Sequence, residues 1–363
     1  MPLSLMKMAA ISMDSDDLLD LPAYADEYWA ILDLIDAAEK VAICGHTSPD
    51  GDALGSTLGL GLALRGRFPS KDITFLIADD APAPRIYRFL AGADELVPAA
   101  RYTADPDLFI AVDCPVLDRL ADGEAVVRRA DKVVCFDHHP AREEFADVVV
   151  RRPDAAAASV LIAEFLSFVN ISIDAAVASS LLCGIVTDTG RFQYQNADPE
   201  SFCVASMLVA AGADPARIAL EVYQSQRLEY LKLESVVMSR IRLVADGRVA
   251  YSYARAVDLA EYGVSHDECD GLVDIVRSVM GVEVCLFLKE LDNGKVRGNL
   301  RAKGALDVSG IAAAFNGGGH AAAAGFTYEG TIEDTLRAAL PMLIELVDSV
   351  RDVEELACAP NEA

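Results

Sequence analysis

Short apolar runs alternate with amphipathic segments over the first part of the chain. Residues 41–46, 72–79, 108–113 and 132–137 have the length and composition of buried strands, and segments of helical periodicity separate them. Strands that alternate with helices predict a doubly wound parallel sheet, whose functional loops gather at the carboxyl ends of the strands. This part of the chain therefore predicts an α/β domain.

The pattern becomes mostly helical from about residue 155, and residues 218–241 predict one long helix that connects two lobes. Two hairpins follow, with predicted turns at Asp246-Gly247 and Asn293-Gly294. The fold class we predict is α/β, with a smaller C-terminal α+β domain. The predicted divisions are a catalytic domain at 1–217 with a flexible segment at 1–25, a helical linker at 218–241, a substrate-binding domain at 242–350 and an acidic tail at 351–363.

The net charge of the chain restricts the classes of molecule that it can bind. The chain carries 57 acidic and 31 basic residues, for a net charge of −26, and this would repel a long polyanion. The eight cysteines are scattered without a CxxC motif, which is typical of buried thiols in a reducing compartment. No run reaches the ~18 apolar residues that a membrane helix requires. We therefore expect a cytoplasmic protein with no membrane partner and no long duplex ligand.

Polar residues follow the predicted strands at corresponding places. The string HTSPDGD (46–52) follows the first strand, Asp113 ends the third, the string DHH (137–139) ends the fourth, and Asp188 closes an apolar helix. Each string alone is typical of a turn or a helix cap. Together, the carboxylates at one sheet edge would repel one another without cations, which indicates a metal site.

The residue types restrict the metal. The set is rich in oxygen, contains imidazole and lacks thiolate, which favours Mn²⁺ or Mg²⁺ over a structural zinc, with histidine favouring manganese. We predict two ions, because a pair ~3.5 to 4 Å apart can neutralise a phosphoryl group from both sides and deprotonate a shared water. In HTSPDGD the spacing lets His46 and Asp50 face one ion while Asp52 faces the other.

The second domain has an anion-binding pattern of its own. The string GGGH (317–320) places consecutive backbone N–H groups on a loop that we expect to lead into a helical stretch. His320 follows the glycines, and Arg301 and Lys303 lie on a nearby predicted strand of an otherwise acidic protein. This combination favours a phosphate or carboxylate ligand over a simple glycine turn.

The ordered motifs resemble those of DHH-family phosphoesterases, and specifically the DHH/DHHA1 nanoRNases and pAp phosphatases. The match covers nearly the whole chain after residue 40. It rests on GHTSPDGDALGS, VDCPVLDRL, FDHHP, TDTGRFQYQN, NLRAKG and FNGGGHAAAAGF. One departure is Cys114, where the family more often has Thr or Ser after the bridging Asp, and a thiol makes the weaker hydrogen bond.

The resemblance implies two sets of metal ligands that share one carboxylate. Those sets are His46, Asp50 and Asp113 for one Mn²⁺, and Asp52, Asp113, His138 and Asp188 for the second. It also implies that Asp137 orients a histidine and that His139 contacts the scissile phosphate or protonates the leaving oxygen. The implied nucleotide-binding residues are Arg301, Gly318, Gly319 and His320, with Asn299 as a weaker candidate.

The expected activity is hydrolysis of short oligoribonucleotides, and possibly of pAp, by two Mn²⁺ or Mg²⁺ ions. Hydrolysis of cyclic di-AMP or its linear product pApA is a close alternative that the motifs do not separate. A RecJ-like exonuclease is disfavoured because no basic, aromatic-rich strand channel is visible. A silent nucleotide sensor is disfavoured because every metal ligand is present. The resemblance also suggests a homodimer.

Overall fold

The computed structural model describes residues 23–140 and 144–357 of the chain. Residues 1–22 of the segment that we expected to be flexible, and residues 358–363 of the expected acidic tail, lie outside the described residues.

The two domains are built from helices and strands that follow one another along the chain. The helices are α1 (Ala25–Ala37), α2 (Gly51–Arg67), α3 (Gly123–Val127), α4 (Ala158–Phe168), α5 (Ala175–Asp188), α6 (Pro199–Ala210), α7 (Pro215–Tyr223), α8 (Leu228–Ser239), α9 (Ala256–Tyr262), α10 (Leu272–Arg277), α11 (Ser309–Ala314) and α12 (Ile332–Ala357). The strands are β1 (Lys40–Cys44), β2 (Asp72–Ile77), β3 (Val97–Pro98), β4 (Leu108–Val112), β5 (Lys132–Asp137), β6 (Val148–Arg151), β7 (Arg242–Val244), β8 (Val249–Ala254), β9 (Val284–Glu290), β10 (Val296–Ala302), β11 (Gly318–His320) and β12 (Ala323–Tyr328).

The first sheet has the order β3-β2-β1-β4-β5-β6, and its strands pair in parallel. The predicted doubly wound sheet is therefore confirmed. The short edge strands β3 and β6 were not predicted. The strand order reverses between β1 and β4, and a crevice outside the carboxyl ends of the strands opens at such a point.

Aspartates begin several helices of the first domain. Asp50 precedes α2, and its side chain accepts hydrogen bonds from the backbone N–H groups of Asp52 and Ala53. Asp174, Asp198 and Asp214 cap α5, α6 and α7 in the same way. Such caps satisfy backbone donors that the helix itself leaves free. The interpretation of Asp50 as a helix cap is therefore correct, and it is compatible with a second role.

Helix α2 packs closely on α5. At Gly55, a Cβ atom would lie 2.3 Å from the carbonyl oxygen of Ser180, a distance that real Cβ atoms do not reach. Gly55 therefore faces another helix. This close approach brings the start of α2 next to the end of α5, where Asp188 lies.

The second sheet has the order β11-β12-β10-β9-β8-β7. Strands β7 and β8 form the hairpin predicted at Asp246-Gly247, and β9 and β10 form the one predicted at Asn293-Gly294. Strand β8 pairs with β9 in parallel, so the sheet is mixed. The prediction that GGGH forms a loop leading into a helix was wrong. GGH forms strand β11, and the next element is strand β12.

The predicted single helix at 218–241 was wrong, because the chain forms two helices, α7 and α8. Helix α7 packs into the core of the first domain and α8 into that of the second. Between them, Gln226 accepts a hydrogen bond from Arg85 of the first domain at 3.3 Å. The next residue, Arg227, pairs with Glu268 of the second domain at 2.8 Å. Helix α12 continues through 351–357, which we had expected in the tail.

Within the described residues, no single helix has the length and apolar composition to cross a membrane. Helices α6 and α7 pass that test only as a pair, which is bent by 107°.

Candidate metal centre and the facing cleft

Carboxylates and histidines from four segments meet at the carboxyl edge of the first sheet. The segments are the loop after β1, the residue after β4, the end of β5 and the end of α5. Among the described residues, four groups of donor atoms in this region could each hold a metal ion, and two of them consist of the residues expected as ligands. These two groups are His46, Asp50 and Asp113, and Asp52, His138 and Asp188.

The two groups meet at Asp113. Its Oδ2 lies 3.4 Å from His46 Nε2, and its Oδ1 lies 3.3 Å from His138 Nε2. Asp113 has φ +52, a left-handed conformation that turns the chain sharply at the end of β4 and that non-glycine residues rarely adopt. One carboxylate therefore faces both groups, as a bridging ligand must.

The neighbours in HTSPDGD differ in environment. The side chain of Asp50 is 48% exposed, whereas that of Asp52 is fully buried. Asp50 Oδ1 lies 3.9 Å from His46 Nε2, and Asp52 Oδ2 lies 3.8 Å from His138 Nε2. Asp50 and Asp52 thus belong to different groups, in agreement with the spacing argument.

Electrostatics explain why this cluster needs cations. Burial and the charge of Asp113 raise the pKa of Asp52 to about 6, although His138 opposes the shift. Burial raises the pKa of Asp188 well above its usual value. Burial lowers the pKa of His46, but the hydrogen bond to Asp113 and the nearby carboxylates raise it to about 9 overall. Closely spaced carboxylates hold protons or cations because they repel one another.

Unsatisfied polar atoms fit a metal-binding role. Asp113 Oδ1, His138 Nε2 and Asp188 Oδ2 are buried and have no hydrogen-bond partner among the described residues. A buried polar atom without a partner is costly. Oxygen and imidazole donors suit Mn²⁺ or Mg²⁺. The residues therefore fit the ions that the sequence predicts.

Asp52 is supported by the start of α4. Its carboxylate accepts hydrogen bonds from Ala158 N at 2.6 Å and from Ser159 N at 3.0 Å and Oγ at 2.5 Å. The positive end of a helix stabilises a carboxylate. At Gly184 of α5, a Cβ atom would lie 2.1 Å from Ser159 Oγ and 2.6 Å from Asp52 Oδ1. A glycine is therefore required there for Asp52 to keep its place.

Asp137 contacts His139. Its Oδ1 lies 3.0 Å from His139 Nδ1, and its Oδ2 accepts a hydrogen bond from Arg151 Nε at 3.0 Å. The side chains of Asp137 and His139 both lie beside Asp113. The Nδ1 atom of His139 is 3.4 Å from Asp113 Oδ1. With Nδ1 facing Asp137, Nε2 of His139 is left for another contact.

His320 reaches this centre from the second domain. Its ring stacks on that of His139, with centroids 4.3 Å apart, and lies 4.8 Å from that of His138. Burial and the neighbouring His139 and His138 lower the pKa of His320 to about 3. Strand β11 thus places the end of GGGH beside the histidines of the first domain.

The other residues predicted to bind substrate lie on or after β10 and on β11. Arg301 lies beside Tyr194 of the first domain, and Asn299 donates a hydrogen bond to Asp270 at 3.2 Å. Gly318 and Gly319 pair with β12. Lys303 instead donates to the carbonyl of Val279 at 3.3 Å. The structure gives Lys303 no contact with the metal-ligand residues among those described.

Several residues that shape the centre were missed by the sequence analysis. Asp79 accepts hydrogen bonds from Thr47 Oγ1 and, at 2.6 Å, from the backbone N–H of Ser48, which has φ +51. Arg119 Nη2 lies 3.3 Å from His46 Nδ1. Asp79 is the last residue of the second predicted strand, as Asp113 is of the third, and this position could have identified it. Ser159 and Gly184 carry no comparable sequence signal.

Comparisons with known proteins agree with this architecture. The DHH family, N-terminal domain, matches residues 40–185, and the DHHA1 domain matches residues 246–349. The bifunctional oligoribonuclease and PAP phosphatase NrnA of Thermus thermophilus is 29% identical over 85% of this chain and 90% of its own length. The cyclic-di-AMP phosphodiesterase GdpP of Geobacillus thermodenitrificans is 28% identical over 80% of this chain and 45% of its own length.

A solved structure has the same overall fold. The crystal structure of an exopolyphosphatase-related protein from Bacteroides fragilis matches with a TM-score of 0.79 at 25% identity, over 88% of this chain and 96% of that one. The two domain matches lie on the two sheets described above and together cover more than half of the chain. The chain therefore belongs to the DHH/DHHA1 family of phosphoesterases, which are hydrolases.

Proposed function

We propose that the protein hydrolyses very short oligoribonucleotides to mononucleotides, and pAp to AMP and phosphate, with two Mn²⁺ or Mg²⁺ ions. The observation that carries this proposal is the pair of ligand groups joined at Asp113, with the ring of His320 from the second domain stacked on His139 beside them. The named activities of the NrnA relative support it. So does the net charge of −26, which disfavours a long polyanion.

Each ligand group has a distinct task in the proposed reaction. His46, Asp50 and Asp113 would hold one ion, and Asp52, Asp113, His138 and Asp188 the other. When bound, such a pair supplies Lewis acids on both sides of a phosphoryl group and lowers the pKa of a water molecule between them. Asp113 would be shared by both ligand sets, since its two oxygens face His46 and His138.

His139 is the proposed acid for the leaving oxygen. Asp137 accepts a hydrogen bond from Nδ1 of His139, and Arg151 donates one to Asp137. These contacts fix the orientation of the His139 ring from its Nδ1 side. The ring then directs Nε2 to the substrate. His139 would donate a proton there as the bond between phosphorus and the leaving oxygen breaks.

The second domain selects the substrate in this proposal. Arg301, Asn299, the backbone of Gly318 and Gly319, and His320 would bind the nucleotide beside the metal centre. A binding face at a fixed distance from the metals admits substrates of limited length. Lys303 stays a prediction, because its ammonium group lies beside Val279. The cytoplasmic location and the homodimer also stay predictions.

A second candidate is hydrolysis of cyclic di-AMP. The observation that favours it is the similarity to GdpP, a cyclic-di-AMP phosphodiesterase, over 80% of this chain. Both candidates require the same metal centre, so the substrate alone separates them.

One assay distinguishes these activities. With Mn²⁺ present, we would measure hydrolysis of pApA, pAp, cyclic di-AMP, pyrophosphate and a 24-mer RNA, with Asp188→Ala as the inactive control. We expect pApA and pAp to be cleaved fastest. Faster cleavage of the 24-mer than of pApA would refute the short-substrate proposal, and faster cleavage of cyclic di-AMP would support the second candidate. Tight nucleotide binding without any turnover would instead indicate a sensor.

A further inference from the structure

Tyr194 of the first domain forms a direct contact with the second domain. It lies in the segment after α5, six residues beyond Asp188. Its hydroxyl donates a hydrogen bond to Asp274 Oδ1 at 2.9 Å, and Asp274 lies in the first turn of α10. Because the acceptor is a carboxylate, this hydrogen bond belongs to the stronger class. The contact therefore joins the neighbourhood of one metal position to the facing domain.

The ring of Tyr194 packs against residues of both domains. At Gly190 of the first domain, a Cβ atom would lie 2.4 Å from Tyr194 Cζ, so a side chain at this position would displace the ring. From α10 of the second domain, the guanidinium carbon of Arg277 lies 4.8 Å from the ring centroid. A guanidinium group at that distance is attracted to the face of the ring. Packing thus holds the ring in the position from which its hydroxyl reaches Asp274.

The segment that carries Tyr194 has an unfavourable backbone conformation. Gly190, Arg191 and Phe192 have φ values of +54, +65 and +59, so three consecutive residues are left-handed. Residues other than glycine adopt this conformation only where the surrounding structure imposes it. Contacts from outside the segment therefore help to maintain its shape, and the hydrogen bond of Tyr194 to the second domain is one of them.

The end of the same segment is bonded to the backbone of the metal centre. Asn196 donates hydrogen bonds from Nδ2 to the carbonyl oxygen of Asp188 at 3.1 Å and to that of Ala156 at 3.0 Å. Close after Ala156, the backbone N–H of Ala158 donates to the carboxylate of Asp52. The segment from Asp188 to Asn196 therefore connects the contact with the second domain to the backbone beside two of the expected metal ligands.

We propose that Tyr194 is a positioning residue, which holds the second domain against the segment that begins at Asp188 through its hydrogen bond to Asp274. It requires no contact with the substrate for this role. Loss of the hydroxyl lowers the population of the arrangement in which both domains reach the substrate, and the apparent affinity falls by the same factor. The effect on turnover rests on the proposed function, whereas the effect on the segment does not.

A double-mutant cycle tests the effect on turnover. KM and kcat for pApA would be measured with Mn²⁺ for the wild type, Tyr194→Phe, Asp274→Ala and the double variant. Tyr194→Phe keeps the ring and removes only the hydroxyl, so we expect KM to rise about tenfold while kcat stays within about twofold. The double variant should have no higher KM than Tyr194→Phe, because both substitutions remove one contact. Tyr262→Phe, at a half-buried tyrosine of α9, is the control and should leave KM unchanged. An unchanged KM in Tyr194→Phe, or independent effects that multiply in the double variant, would overturn the positioning role.

Hydrogen exchange tests the contact without any need for activity, so it still decides the inference if the wild type hydrolyses no substrate and the proposed function fails. The backbone amides of Arg191 and Tyr194 are hydrogen-bonded within the segment, and their exchange would be followed in the substrate-free protein. Asp274→Ala, although in the other domain, should accelerate this exchange about tenfold, as Tyr194→Phe does. Acceleration in Tyr194→Phe alone would assign the hydroxyl a role within the first domain, and acceleration in neither variant would refute the contact.

Discussion

The two faces of the cleft carry opposite charge and are built in opposite ways. The first-domain face gathers buried carboxylates whose positions are fixed by many hydrogen bonds, as Asp52 is by the start of α4. The second-domain face is a strand with arginines that form no ion pair among the described residues. We expect the first face to bind cations and the second to bind an anion. A metal-bound phosphate ester between them would satisfy both.

We expect this difference to separate the chemical step from the selection of substrate. Changes on the carboxylate face should alter metal binding and kcat, and changes on the arginine face should alter KM while metal binding persists. The predictions below test that separation, beginning with the largest expected effect.

Asp113→Asn should lower kcat for pApA by about a thousandfold, because it weakens both metal positions at their shared ligand. It should also remove the stabilisation by Mn²⁺, which for a ligand at a hundred times its Kd is about 2.7 kcal/mol. Thermal unfolding with and without Mn²⁺ measures this second effect independently of activity. Asp118→Asn, at an exposed residue of the same turn, is the control. Full Mn²⁺ stabilisation of Asp113→Asn would exclude the shared-ligand assignment.

Arg301→Gln should raise KM for pApA by about tenfold or more, because it removes a charged hydrogen-bond donor from the arginine face. The shift of the unfolding temperature by Mn²⁺ should equal that of the wild type. Lys303→Gln is the matched comparison two residues away, and a smaller effect is expected because its ammonium group lies beside Val279. Loss of Mn²⁺ stabilisation in Arg301→Gln would show that the two faces are not separate.

Asp79→Ala should weaken Mn²⁺ binding at the position of His46 and Asp50 by about fivefold. The substitution removes hydrogen bonds that stabilise the loop carrying these two residues by about 1 kcal/mol. Binding at the other position should be unchanged. A Mn²⁺ titration followed by calorimetry resolves the two steps. The neighbouring Asp80→Ala, which breaks only an exposed pair with Arg101, provides the control. Equal weakening of both positions would assign Asp79 a general structural role.

Much of the first domain was predictable because its strands are short apolar runs and its ligands follow them directly. His46, Asp113 and His138 were brought together by the topology of a parallel sheet alone. The edge strand β6 was missed because only one of its four residues is buried. The packing of Gly184 against Asp52 depends on contacts between distant segments, which a local pattern does not contain.

The second domain was harder to predict for a physical reason. The string GGGH resembles a loop because glycines disfavour strands, but pairing of Gly318 with Gly325 places it in the sheet. The broken linker was missed because residues 218–241 keep helical periodicity through the break.

The connection between the two domains passes through the break between α7 and α8. Gln226 is hydrogen-bonded to the first domain and Arg227 is paired with the second, so two adjacent residues are attached to different domains. The position of the second domain relative to the metal centre therefore depends on side-chain contacts on both sides of this one peptide bond.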